Sequence, residues 1–376
     1  MRVVIDGRMI LPEMSGVGRY LICLSHALRE LGTDDIFELW LQNSLPTDHL
    51  VWNLAGGDFH LRNVKTKQMS LAAQWRIPLE LARAQPDLFH YPHFDLPFAI
   101  PGRVVATIHD LKYIARPGFF PHVGQAKRLV MRLMMGFTCR RAQCVIAVSH
   151  NTAQDLISYL GVPQSKIHVV PHGVDARYFL PTSLQEIQNL NHRYNLTSPY
   201  LLFVGERRPH KNLVRLIEAF SLFRRMIQQP YQLVIAGKRY ADYQTPEKIA
   251  QDTGFKDDIR FIDHLPDADL PTLYRAAEVL ILLSYYEGFG LPILEAMASG
   301  IPVVASYSTS LPEVVGEAGL LVDPDAPEQI ALALRQIIRD GELRDHCITA
   351  GLEKARSFTW ERCARLTYEV YREALG

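Results

Sequence analysis

The sequence predicts an α/β fold of two doubly wound domains, each a parallel sheet flanked by helices, facing a central cleft. Three observations carry that expectation. Short β-branched runs alternate with longer amphipathic runs along the whole chain, the pattern of right-handed βαβ units. About a dozen strand candidates occur, more than one twisted open sheet readily accommodates. The 376-residue length holds two or three domains of about 150 residues, each with its own core.

In order, residues 2–6 read as a buried strand and 16–18 as a turn. Leu21, Leu24, Ala27, Leu28 and Leu31 then recur at helical spacing until Gly32 stops the helix. The runs 36–42, 87–91, 104–109, 145–149 and 167–170 complete a first set of strands. A second set begins at 200–205 and continues with 232–237, 259–262, 279–284, 302–305 and 319–322. The polar segment 181–198 is expected as a linker, separating a domain over 1–180 from one over 199–357. Ligands of open parallel sheets bind beyond the carboxyl ends of the strands. Each polar cluster of interest sits at such an end: 16–19, His109-Asp110, Ser149, 205–211 and 287–295. Together they point to one small-molecule pocket at the cleft.

Composition narrows the partners. With 48% hydrophobic and 21% charged residues the chain is ordinary for a globular protein, so disordered and fibrous classes drop out. Forty basic against forty acidic side chains argue against a nucleic-acid binder. The balance is uneven along the chain: residues 1–180 carry 19 basic and 14 acidic side chains, residues 181–376 carry 21 and 26. Between Asp110 and Asp155 there is no acid, while Lys112, Arg116, Lys127, Arg128, Arg132, Arg140 and Arg141 all fall there. Five cysteines without a C-x-x-C pair suggest neither a disulfide framework nor a zinc site, and a reduced, cytoplasmic setting is expected. The amino terminus lacks a signal-peptide core, and no apolar stretch is long enough to span a membrane.

The chemistry concentrates in Glu287-Gly288-Phe289-Gly290-Leu291-Pro292-Ile-Leu-Glu295. Two glycines before a helix start let backbone N–H groups and the helix dipole face a phosphate. Glu295, expected in the first helical turn, has the acceptor geometry for a ribose diol. A lone first-turn glutamate more often only complements the dipole. Here two glutamates eight apart frame a glycine-rich loop after a strand, and context of that kind confirms a motif. Val204-Gly205-Glu206-Arg207-Arg208-Pro-His-Lys211-Asn212 adds cations at a second strand end. Gly16-Val-Gly18 at the first strand end is weak by itself and fails the dinucleotide fingerprint, since Leu21 stands where its third glycine belongs.

Over nearly the whole chain the sequence resembles the family 4 retaining glycosyltransferases of the GT-B fold, two Rossmann-like domains around a cleft. The resemblance implies roles by position. Glu295 would bind the nucleotide ribose, Glu287 would lie beside the transferred sugar, and the Gly288–Leu291 amides would hold phosphate and sugar hydroxyls. Lys211 matches the lysine that neutralises the donor diphosphate. Glu206 stands where the family often has arginine, so Arg207 or Arg208 would substitute. Gly16 and Gly18 match the loop nearest the donor phosphate, Gly205 opens the lysine segment, and His109 with Asp110 matches the pair at the donor sugar. His172 replaces the asparagine of a structural Pro-Asn-Gly-Val-Asp turn, and residues 358–376 match a terminal helix that crosses back to the first domain.

The implied enzyme moves a hexose, with a lean to mannose, from a GDP- or UDP-linked nucleotide-sugar to a growing glycan or lipid-linked acceptor. No Asp-x-Asp occurs in the candidate loops, so no metal and no separate cofactor is expected. A nucleotide-sugar 2-epimerase of the same architecture, with Glu287 and His109 as its acid–base set, is one alternative; a non-catalytic nucleotide-sugar sensor is another. The basic, partly apolar stretch 124–141 reads either as a core-packed helix with a solvated rim or as a peripheral contact with an anionic membrane surface, on the inner face of the cytoplasmic membrane.

Overall fold

A computed structural model of the chain describes residues 1–13, 15–42, 45–197 and 199–376. They form two compact units, one of residues 1–173 with 359–376 and one of residues 174–358.

The first unit holds a seven-stranded parallel sheet of β1 (Arg2–Asp6), β2 (Ile36–Gln42), β3 (Phe59–Val64), β4 (Leu88–Tyr91), β5 (Arg103–Ile108), β6 (Cys144–Ala147) and β7 (Ile167–Val169), in the order β3-β2-β1-β4-β5-β6-β7. The central strands are apolar runs because both faces are covered: Val3, Val4 and Ile5 have no exposed surface. Helices α1 (Gly16–Glu30), α2 (Ala73–Ala84), α3 (Lys112–Ala115), α4 (Gln125–Arg141) and α5 (His150–Leu160) pack around it. Ser15 caps α1 by accepting from the Gly18 amide, and Ser149 caps α5 through the Thr152 amide. Strand β3 is absent from the sequence expectation. It is an edge strand with only its ends buried, and His60 and Asn63 face out, so it lacks the apolar run that marks the others.

The second unit carries β8 (Tyr200–Val204), β9 (Gln232–Ala236), β10 (Ile259–Ile262), β11 (Val279–Leu282), β12 (Val303–Ser306) and β13 (Gly319–Val322) in the parallel order β10-β9-β8-β11-β12-β13. Its helices are α6 (Leu184–Tyr194), α7 (Leu213–Met226), α8 (Thr245–Asp252), α9 (Leu270–Arg275), α10 (Leu291–Ala298), α11 (Leu311–Val315), α12 (Pro327–Arg339) and α13 (Gly341–Ser357). The segment expected as a linker belongs to this unit. A Ser183–Glu186 capping box starts α6, Arg193 pairs with Asp269 at 2.6 Å, and the Tyr194 hydroxyl donates to the same carboxylate at 2.7 Å. Upstream, Arg177 pairs with Asp267 at 2.5 Å, so the unit begins at residue 174 rather than after 198. Polarity misled the reading because this helix buries only Leu190. Ser198 lies outside the described residues.

The last helix, α14 (Trp360–Leu375), belongs to the first unit and packs on α1, β4, β5 and β6. A buried polar chain ties it in. The Tyr371 hydroxyl meets His90 Nδ1 at 2.7 Å, His90 Nε2 meets Thr107 Oγ1 at 2.8 Å, and Thr107 meets the Tyr20 hydroxyl at 3.1 Å. His172 stacks on Trp360 with ring centroids 5.8 Å apart, so its structural reading fits its surroundings. Gly173 lies beside them, and a Cβ there would overlap the backbone of Thr359 and Trp360.

Two outcomes follow from this packing. Gly173→Ala should cost about 2–3 kcal/mol in denaturant unfolding, since backbone rather than a movable side chain blocks the new methyl; an unchanged midpoint would refute the close approach. Burial pushes His90 down to about 3 and His109 down to about 4, and holds His172 well below the usual range. Unfolded histidines take up protons below about pH 6.5 while these stay neutral, so their contribution is complete above that pH and is lost as pH falls toward 4 and 3. The slope is about 1.4 kcal/mol per pH unit for each such histidine. Urea unfolding at pH 7.5, 6 and 5 should show stability dropping; equal stability at all three would contradict the burial argument.

Candidate functional site

In the second unit three strand ends meet. Gly205 follows β8 with φ 153°, a conformation that needs glycine, and its amide bonds the Ala236 carbonyl at 2.9 Å. The chain then turns through 206–210 to Lys211. Lys211 Nζ lies 2.6 Å from Glu287 Oε1, and the Ser284 hydroxyl donates to the same oxygen at 2.6 Å. The backbone links these loops as well, with the Tyr285 amide on the His210 carbonyl at 2.8 Å.

The loop 287–290 is pinned from beyond β12. The Glu287 amide donates to Thr309 Oγ1 at 3.0 Å, and the Ser310 hydroxyl donates to the carbonyls of Glu287 and Phe289 at 3.0 and 2.9 Å. Thr309 holds φ 49°, an unfavourable region for a β-branched residue, and such strain collects at functional sites. Gly290, at φ 114°, caps α10, and Gly288, Phe289 and Leu291 complete the approach to a helix N-terminus suited to anions.

Glu295 is the fifth residue of α10, one turn later than expected, so complementing the dipole is not its role. It is buried, and its Oε2 accepts from the Tyr274 hydroxyl at 2.7 Å. Neither Tyr274 nor the Thr309-Ser310 pair was singled out from sequence; both act across α9 and β12, at separations that no local spacing reveals.

The two arginines separate cleanly. Arg207 is 1% exposed, with Nη1 on Glu247 at 2.7 Å, Nη2 on Asp263 and Nε on the Gly237 carbonyl at 3.1 Å. All faces of its guanidinium are engaged, so the expectation that it serves the reaction is corrected: it braces the ends of β9 and β10. Arg208 lies over the Tyr240 ring, 3.3 Å from its centroid, and pairs with exposed Asp242 at 3.1 Å. A surface pair of that kind is weak and readily exchanged for another anion.

In the first unit, His109 and Asp110 sit just past the end of β5 and line a cavity of about 220 Å³ with His93, Phe94, Lys112 and Tyr113. The His109 ring meets Tyr20 edge-on at 4.8 Å, and its buried Nε2 has no hydrogen-bond partner. Neutral at ordinary pH, that buried nitrogen keeps an unused acceptor or donor in a residue that lines the cavity. Burial would raise Asp110, but the Lys112 ammonium 3.0 Å away outweighs it and holds the carboxyl below its usual range. Gly16 and Gly18 open α1. A Cβ on Gly16 would meet nothing within 4 Å, whereas one on Gly18 would press on Ser15 Oγ at 3.2 Å.

Two family models match the chain: "Glycosyltransferase Family 4" over residues 14–178 and "Glycosyl transferases group 1" over residues 185–354. O-antigen chain mannosyltransferase B of Escherichia coli is 32% identical over 76% of this chain and 74% of that protein. The serotype-specific mannosyltransferase WbdA of Escherichia coli is 27% identical over 84% of this chain, which spans only 40% of WbdA. In fold, the chain superposes on Anabaena Alr3699/HepE, solved with UDP and glucose, with a TM-score of 0.77 at 19% identity, covering 99% of this chain and 100% of that one. Two parallel-sheet units, a motif of two glutamates, one on a pinned loop and one in the helix after it, and these matches agree: the chain belongs to the family 4 glycosyltransferases of the GT-B fold and is a glycosyltransferase.

Proposed function

We propose that the chain transfers a hexose, with mannose favoured, from a nucleotide-sugar to a growing glycan or lipid-linked acceptor with retention of anomeric configuration. The observation that carries this is the Lys211–Glu287 pair on the pinned loop ahead of α10. An ammonium held by one carboxylate oxygen keeps further N–H groups for phosphate oxygens. Mannose is favoured because both relatives described above are named mannosyltransferases, and a nucleotide-linked donor is in keeping with the UDP complex of Alr3699/HepE.

In this reading the bond from the anomeric carbon to the diphosphate oxygen breaks, and the acceptor oxygen bonds to the same face of that carbon. The leaving phosphate oxygen takes the acceptor's proton. Lys211, Arg208 and the amides of the 288–291 loop stabilise the charge growing on the diphosphate. Glu287 faces the cationic sugar, and Glu295 accepts from the ribose hydroxyls. With two cations serving the diphosphate, transfer runs without a metal.

The second element of the proposal is peripheral attachment to the inner face of an anionic cytoplasmic membrane through residues 124–141. Helix α4 buries Met131, Met135 and Cys139, and leaves Leu129, Val130 and Leu133 more than half exposed among Lys127, Arg132 and Arg140. Phe98, 60% exposed, extends the apolar strip through its 4.9 Å ring contact with Phe137. Apolar residues facing water between basic ones fit a lipid interface better than a solvated rim. Among the described residues no helix is long and apolar enough to cross a membrane.

Three experiments test these readings. Glu295→Ala should weaken donor and nucleoside diphosphate binding together, since that contact precedes the transition state, while Lys211→Ala should cut turnover about 10²–10³-fold. Unaltered nucleotide affinity in the first, or near-normal turnover in the second, would overturn the assignment. The chain should also co-sediment with anionic liposomes at low salt and release as salt rises, at about 1 kcal/mol per basic residue. Lys127→Glu with Arg140→Glu should abolish this. Arg128 is unsuited to the test because it donates to the carbonyls of Pro117 and Phe120. Attachment unaffected by the double change would leave α4 as an ordinary domain helix.

A further inference from the structure

Three side chains of the first unit stand together with no part in the transfer just described. Cys144 opens β6, His168 is the middle residue of β7, and Glu373 lies in the last turn of α14. The register pairs Ile146 with His168, so Cys144, two residues before Ile146, shares the sheet face of His168. That face is the one α14 covers, since Cys144 and Ile146 belong to the same core as Cys363, Tyr371 and Ala374. One ligand atom from each of the three residues lies within 4.8 Å of the others.

The local geometry is unusual for a plain ion pair. His168 Nε2 is 3.3 Å from Glu373 Oε1, yet that buried nitrogen makes no hydrogen bond. Two groups so close but misaligned are placed as ligands of a shared point would be. Metal–ligand lengths of about 2.0–2.1 Å in a tetrahedron separate nitrogen and oxygen by about 3.3 Å. The sulfur lies within 4.8 Å of both, and the half-exposed Glu373 gives the cluster room to close. A sulfur, nitrogen and oxygen set suits borderline-soft zinc and not magnesium or calcium, which take oxygen alone. Lys166 stands near the thiol but is tethered to the carbonyls of Arg140 and Ala142 at 2.9 and 2.6 Å.

We propose that Cys144 Sγ, His168 Nε2 and a Glu373 carboxylate oxygen form a three-ligand zinc site, completed by water, that clamps α14 to the sheet of the first unit. Binding converts the thiol to a zinc-bound thiolate and releases its proton to solvent. Cys144 lies at the amino end of its strand, opposite the edge that carries His109, so the ion has a structural task and turnover does not pass through it.

The test uses the full chain stripped of metal. Cobalt(II) should bind one to one with a thiolate-to-cobalt absorption in the near ultraviolet, and zinc should displace it. Saturating zinc should raise Tm by about 5 °C. Cys144→Ser and His168→Ala should each lose the absorption with circular dichroism retained, and Glu373→Gln, at an exposed position, should weaken zinc at least about tenfold. EDTA should remove the added stability and spare turnover. No cobalt absorption, absorption that survives Cys144→Ser, or a Tm indifferent to zinc would overturn the proposal.

Discussion

The contact between Lys211 and Glu287 is the constraint on which the rest of the second unit's site depends. Both groups are largely buried, and either alone would carry a substantial desolvation cost there. Pairing alone does not meet that cost, so the surroundings supply hydrogen bonds: Ser284 on the carboxylate, and Thr309 and Ser310 on the loop backbone. These residues come from the ends of β8, β11 and β12, which parallel pairing brings to one edge. The pair thereby fixes the separation of two loops that leave different strands. Catalysis by preorganised charge requires that the cost of holding an ammonium in place is met before the substrate arrives.

Neighbouring arginines show how little residue type alone decides. Arg207 and Arg208 are adjacent and identical in chemistry, yet one is sealed between Glu247 and Asp263 while the other lies on Tyr240 near the surface. The Arg208 amide bonds the Glu206 carbonyl at 3.0 Å, and this tight turn sends the two side chains different ways. Helix α8, which carries Glu247, and the end of β10, which carries Asp263, determine which side is occupied by acids.

What the sequence made legible follows the same division. Apolar runs, helical spacing and strand-end clusters reported the alternating architecture and drew Lys211 and Glu287 to neighbouring strand ends, while Glu295 falls one turn deeper in its helix than its spacing suggests. They failed where a segment's identity depended on partners distant in the chain. Strand β3 is polar on its open edge, and α6 is held by Asp269 more than by its own apolar stripe. Tyr274 and Thr309 matter through single hydroxyl contacts, which leave no periodic trace. The turn at Thr309 is strained, and its cost is intelligible only beside the Glu287 amide it receives.

The chain passes from the first unit to the second at residues 173–174 and returns at 358–359. In order of synthesis, then, the second unit is an insertion, complete before the ribosome has made α14. The first unit leaves the ribosome in two parts separated by 185 residues, and its sheet face over β4, β5 and β6 stays uncovered until the last turns of α14 emerge. Vectorial folding from the amino terminus, the usual sequence for multidomain chains, is therefore inverted: the unit begun first is the one finished last.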